Sequence, residues 1–353
     1  MKTPTGAPAA AALLCMVALG APAHADAAPP AAAGRCDRAC LEGYVQQYLR
    51  ALLAHDPGAL PLAAHYRALY NGKPTRVGED PSWQRIDQIA YHQYVMDPTT
   101  EQAAFFGVAV HDQKRGTLFL RLAVRHGQLT FIETIAGKRT LGGVPGLISP
   151  NPFFNYVLPP SQRRSRRQLI AIANRYFQGL QDHDGADVPV SHDCRRFEDG
   201  VQTSLNPVFM PIACNDFRPF TYIDATADRI FPIVDVARGL VLGQMVIRVS
   251  KAAGPPAAPL TGPQTRAQGK RPYVPSPLSG MVMAPDRYFR KPHDTIIHEL
   301  FKIVNGRITE IQTIRLDRPY GWGGGWPSAT PRANRPGARR APAGAGRRLS
   351  PAG

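Results

Sequence analysis

Residues 41–72, LEGYVQQYLRALLAHDPGALPLAAHYRALYNG, align without a gap with residues 169–200, LIAIANRYFQGLQDHDGADVPVSHDCRRFEDG, at an offset of 128. The matched pairs are Leu41/Leu169, Tyr48/Tyr176, Leu52/Leu180, His55/His183, Asp56/Asp184, Pro61/Pro189, Arg67/Arg195 and Gly72/Gly200. Further along, GQLTFIETI (127–135) matches GRITEIQTI (306–314) at an offset of 179. The larger second offset places extra residues inside the second copy. Much of that excess is Lys251–Gly280, whose PPAAP, TGP and VPSP runs read as a surface excursion. The chain is a tandem duplication with one decorated copy.

Each copy repeats one order of elements. Leu41, Tyr44, Val45, Tyr48, Leu49 and Leu52 share a helical face, as do Leu169, Ile172, Ala173, Tyr176, Phe177 and Leu180. Strand-like runs follow: Phe105–Val110, Leu118–Val124 and Leu129–Ile135, then Ile230–Val234, Leu240–Val249, Ile296–Val304 and Ile308–Ile314. His126-Gly127 and Asn305-Gly306 suit two-residue hairpin turns. The expectation is an α+β fold of two tandem cone-shaped units, each with N-terminal helices packed on a curved antiparallel sheet.

A helix ending in LLAHDPGALPLA, followed by a sheet closing in a hairpin such as FKIVNGRITEIQTI, resembles the SnoaL-like members of the nuclear transport factor 2-like superfamily. Together the copies resemble an exported two-copy family of unknown function whose second copy carries a DCRRFEDG-type segment, here Asp193–Gly200. The resemblance spans roughly residues 36–316. It implies a cone with an apolar interior and a few working polar groups, in a superfamily that includes isomerases, dehydratases, epoxide hydrolases, cyclases and non-catalytic binders.

The ends imply export to the periplasm or outside. Lys2, an apolar run from Ala9 to Ala21 and Ala23-His24-Ala25 have the form of a cleaved signal peptide, too short to span a bilayer. The expected plan is a signal peptide at 1–25, a disordered linker at 26–35, a first unit at 36–142 and a linker at 143–162. A second unit at 163–316 carries the Pro-rich insertion 251–280. Residues 317–353 are rich in Arg, Pro and Gly and predicted disordered, since they hold too little apolar surface to offset ordering. Beyond the leader, Cys36, Cys40, Cys194 and Cys214 suggest two disulfides, with Cys36–Cys40 and Cys194–Cys214 favoured among three connectivities.

The formal net charge is +16, and the tail can contact anionic surfaces, although no dedicated nucleic-acid motif occurs. No metal-ligand spacing, nucleophile motif or cofactor-binding glycine pattern is present, so no metal and no cofactor are expected.

Residues shared by both copies suit architecture, so His55-Asp56 and His183-Asp184 read as helix ends. Residues that differ suit function. Glu299 replaces an apolar residue on the strand face of Ile297, Phe301 and Ile303, where burial would raise its pKa and suit a general base. His192, held beside Cys194, is the second catalytic candidate. His65, Tyr91, Tyr94, Arg121 and Glu133 are the ligand-lining candidates of copy one, for a small apolar molecule. An intrachain pseudo-dimer of the two cones is the expected assembly.

Overall fold

Asp37 begins the first helix by accepting from the backbone N–H of Cys40 (2.9 Å). Ser165 begins its counterpart with a capping box closed by Gln168. These features belong to a computed structural model that describes residues 35–137, 152–207, 211–250 and 291–326. The leader, the whole Pro-rich insertion and the tail beyond 326 lie outside the described residues.

In the first half, α1 (Arg38–Leu53) precedes β1 (Leu62–Tyr70), β2 (Lys73–Thr75), α2 (Ser82–Arg85), β3 (Gln88–Asp97), β4 (Gln102–His111), β5 (Lys114–Arg125) and β6 (Gln128–Ala136). In the second, α3 (Pro152–Asn155) and α4 (Arg166–Asp182) precede β7 (Val190–Glu198), β8 (Val201–Gln202), β9 (Ala225–Asp235), β10 (Leu240–Val249), β11 (His293–Val304) and β12 (Arg307–Pro319). The strands form two six-stranded sheets, ordered β2-β1-β6-β5-β4-β3 and β8-β7-β12-β11-β10-β9.

The sheets are mixed, which corrects the antiparallel expectation: β1 runs parallel to β6, and β7 parallel to β12. Both strands are half-exposed and flanked on their outer side only by the short strands β2 and β8, so their sequences lack the apolar alternation that marks the central strands. The repeat extends to register. Leu62 pairs with Leu129 and Arg67 with Phe131, as Val190 pairs with Ile308 and Arg195 with Glu310. The hairpins β5–β6 and β11–β12 share a bulge, after Ala123 and after Lys302. Both turn residues have positive φ, at His126-Gly127 and Asn305-Gly306, as a two-residue turn of this twist requires. The helices end alike too, with His55 and His183 in the left-handed region and Asp56 and Asp184 accepting from the N–H two residues on. His55 Nδ1 meets Trp83 O (2.6 Å) and His183 Nε2 meets Ile223 O (2.9 Å), so these dyads close helix ends.

Three cores result. In one, α1 packs Leu41, Val45, Tyr48 and Leu52 onto Phe105, Leu118, Leu120 and Leu122. In the second, α4 packs Leu169, Ala173, Tyr176 and Phe177 onto Val241, Met245, Ile297 and Phe301. The third lies between the sheets, where Phe106, Phe119 and Ile135 meet Leu242, Ile296, Leu300 and Ile314. Two reciprocal ion pairs flank this seam. Arg38 of α1 reaches Asp235 (2.6 Å), and Arg166 of α4 reaches Asp97 (2.7 Å). Asp97 ends β3 and Asp235 ends β9, so each pair ties the helix of one half to a strand end of the other.

Two expected boundaries move. Part of the 143–162 linker is packed, with Phe154 and Leu158 each 1% exposed. The ordered chain also extends past 317: β12 runs to Pro319, and residues 320–326 form a strap across to the first sheet. Trp326 is buried in the inter-sheet core and donates from Nε1 to Asp228 O (2.9 Å). Arg67 donates to Gly325 O (2.6 Å), and Gly325, at positive φ, lies against Gly72 where a Cβ would clash. Composition argued for disorder, but two tryptophans with a seam to enter suffice to hold the strap. Cys36–Cys40 and Cys194–Cys214 form disulfides. No helix among the described residues is long and apolar enough to cross a membrane.

Candidate functional site

Glu299 lies midway along β11 on the face that α4 covers, and it is 4% exposed. Its Oε1 accepts from Thr313 Oγ1 (3.1 Å), while Oε2 is buried without a hydrogen-bond partner. Burial first, and the charge of Glu198 second, push its carboxyl up to about 8, against the opposing pull of Arg196 and Thr313. At neutral pH the group therefore holds its proton. It is a donor there, and becomes a base above about pH 8.

Arg196 of β7 is the buried cation of this cluster. Its guanidinium donates to Tyr176 Oη (3.0 Å), Thr203 Oγ1 (3.0 Å), Thr203 O (3.1 Å) and Cys214 O (3.3 Å), and its Nε is 3.1 Å from Glu198 Oε1. Burial opposes its charge, but Tyr176, Glu198 and Glu299 around it shift its pKa upward overall. Alternating charges lead outward from there. Glu198 lies 3.6 Å from Arg315, and Arg315 Nε donates to Asp199 Oδ2 at 3.0 Å. Burial raises Asp199 to about 6 despite Arg315. Side-chain exposure rises from 2% at Arg196 to 25% at Arg315, so the chain of charges joins the interior to a rim where Tyr222 is also half-buried. The Cys194–Cys214 disulfide borders it: Ser204 accepts from Arg196 N–H (2.7 Å) and donates to Cys194 O (3.2 Å).

This cluster belongs to one copy. At the matching positions of copy one stand Leu120 for Glu299, Ala68 for Arg196 and Tyr70 for Glu198, leaving Tyr48 against Thr134 (3.3 Å). Arg196 and Glu198 were missed from sequence, although the same contrast between copies that singled out Glu299 would have found them.

The other candidates are dispersed. His192 has 88% side-chain exposure and stands 3.9 Å from Asp193, outside the buried cluster. His65 is exposed on β1, and Tyr94 is half-buried against Phe105. Tyr91 is buried and donates to Gln312 Oε1 (3.3 Å) of the other sheet. Arg121 and Glu133 do not line the cone of copy one, a correction with a simple cause: they face the second sheet. Glu133 accepts from Arg121 Nε (2.9 Å), Gln244 Nε2 (3.0 Å) and His298 Nε2 (3.0 Å). Burial alone would raise the Glu133 carboxyl, but Arg121 and then His298 bring it down to about 2. Burial lowers the pKa of His298, whose ring lies tilted against Phe119 with centroids 4.0 Å apart.

A family model described as "Domain of unknown function (DUF8021)" matches residues 162–315. The match covers the second unit. No curated protein matches the chain. Among solved structures it is similar to an NTF2-like protein of unknown function from Cytophaga hutchinsonii, at 10% identity and TM-score 0.23 over 27% of this chain and 88% of that one. It is also similar to a protein of unknown function with cystatin-like fold from Methylobium petroleophilum, at 14% identity and TM-score 0.25 over 37% of this chain and 99% of that one. A steroid delta-isomerase from Pseudomonas aeruginosa is a third, at 13% identity and TM-score 0.24 over 29% of this chain and 82% of that one.

Proposed function

We propose that this chain is an exported protein whose second unit carries out cofactor-free acid–base chemistry on a small, fairly apolar organic molecule. Dehydration, isomerisation, retro-aldol-type cleavage and epoxide opening are the reactions in view. One observation carries the reading: Glu299 is a buried carboxyl with one oxygen on Thr313, the other without a partner, and a pKa of about 8. A group with those properties exchanges a proton near working pH. Tyr176 and Arg196 beside it supply an O–H and a positive charge to steady a substrate oxygen. The units form a pseudo-dimer in this reading, with the first bracing the second through the seam.

The second reading is a binding module without turnover. It is favoured by the close packing of Tyr176, Phe177, Phe217 and Phe301 on the same face, which an incoming molecule must displace. Incubation with metabolite extracts, followed by mass spectrometry of what is retained and what is altered, distinguishes the two. On a converted compound, Glu299→Gln is expected to lower kcat by about 10²–10⁴. Unchanged turnover refutes the assignment of Glu299, and a compound retained intact by both forms establishes the binding module.

A further inference from the structure

Between Glu133 and Asp182 the chain has no acidic residue, while it carries Lys138, Arg139, Arg163, Arg164, Arg166, Arg167 and Arg175. The described part of this stretch starts with Pro152–Leu158, which is anchored firmly. Phe154 and Leu158 are each 1% exposed. Leu158 N–H donates to Ala237 O (2.9 Å), and Lys302 Nζ donates to Tyr156 O (2.9 Å). With those anchors in place, Phe153, Tyr156 and Val157 still stand 36%, 52% and 48% exposed. The Phe153 ring centre already lies 5.1 Å from Lys302 Nζ, and all three side chains gain further from anything that removes their exposed parts from water.

Cations follow them in the chain, and Arg164 is held by donating to Arg163 O (2.8 Å) and Ser161 O (3.4 Å). Arg166 is engaged by Asp97, but Arg164, Arg167 and Arg175 have no acidic partner among the described residues. Arg164 and Arg175 flank a groove of about 320 Å³ on the outward side of α4, floored by Ala171, Ile172 and Pro189. Apolar side chains entering a headgroup boundary beside guanidinium groups that meet lipid phosphates is the arrangement of a peripheral membrane contact. We propose that Phe153, Tyr156 and Val157, with Arg164, Arg167 and Arg175, dock this protein on an anionic lipid surface. Val157 decides for lipid over nucleic acid, because it neither stacks on a base nor binds a phosphate. The surface is separate from Glu299 and independent of the reading of that residue.

The test is sedimentation of the full chain with phosphatidylglycerol/phosphatidylcholine vesicles and with phosphatidylcholine vesicles, at low and moderate salt. Binding to the anionic vesicles alone is expected. Each arginine near an anionic bilayer is worth about fivefold, so Arg164→Gln/Arg167→Gln/Arg175→Gln should weaken binding on the order of a hundredfold. Phe153→Ser/Tyr156→Ser/Val157→Ser should weaken it further at moderate salt, where charge is screened. Arg76→Gln/Lys114→Gln/Arg115→Gln removes the same charge elsewhere and should leave most of the binding intact, with thermal melts confirming that all three variants fold. No binding to anionic vesicles overturns the proposal, as does equal loss in both charge variants or wild-type binding by the serine variant. Retention on single-stranded DNA but not on vesicles overturns it in favour of nucleic acid.

Discussion

Replacing Glu299 by Gln should make the protein more stable at neutral pH. The buried carboxyl titrates at about 8 in the fold, against roughly 4.3 in an unfolded chain. Between those values the folded chain keeps a proton that the unfolded chain releases. The stability it contributes is full below about pH 4.3, declines as pH rises and is lost through about pH 8. At 1.36 kcal/mol per unit, the shift costs the wild type roughly 3 to 4 kcal/mol at pH 7. Gln keeps the shape and the acceptor for Thr313 but has no proton to lose. The variant should match the wild type near pH 4 and exceed it by that amount at pH 7, a rise in Tm on the order of 10 °C. Urea unfolding followed by tryptophan fluorescence at pH 4.5, 7 and 8.5 measures this. A difference that does not vary with pH, or a variant less stable at pH 7, would show that Glu299 is ionised in the fold and would refute the reasoning.

Glu133 has the opposite sign. Its folded carboxyl sits at about 2, so it contributes stability above roughly pH 4.3 that is lost as pH falls toward 2. Glu133→Gln should flatten the acid limb of the stability curve, and Glu133→Ala should cost about 3–5 kcal/mol by stranding Arg121. Both are read from urea midpoints across pH 2 to 7. Trp326→Ala should lose about 3–5 kcal/mol in the same assay, since it empties a place in the inter-sheet core, and an unaltered midpoint would mean the strap adds nothing. Joint replacement of Cys194 and Cys214 by Ser should cost about 3 kcal/mol and loosen the backbone around Arg196, seen as faster amide exchange in residues 194–217. Protection equal to wild type would count against that role.

What could be read from sequence was the duplication and the parts of it with strong periodicity. The two long helices, the central strands and the left-handed turns all came from patterns that one residue type or one period determines. Strands β1 and β7 escaped because their half-exposed sequences alternate weakly, and with them went the parallel pairings. Glu299 was legible because a carboxylate interrupted an apolar face. Arg121 and Glu133 were assigned to the wrong face because both faces of this sheet are buried, and alternation says which residues share a side but not what covers it. His192 adjoins a buried cysteine in sequence, yet its own side chain reaches solvent.

The place of Glu133 has a consequence for how such a seam can arise. The position matching it in the second half is Gln312, and the position matching His298 is Phe119, so the seam sets Glu133 of one half against His298 of the other, where repeating the first half would bury two carboxylates and repeating the second would bury two imidazoles. Two first halves meeting through this face would bring two carboxylates together with only their own Arg121 to offset each, and without the imidazole that Glu133 meets here. Joined in one polypeptide, the halves are free to differ at the points where they meet. The contact is thereby made exclusive: two first halves would bring two carboxylates to the seam, and two second halves none for His298 to bind.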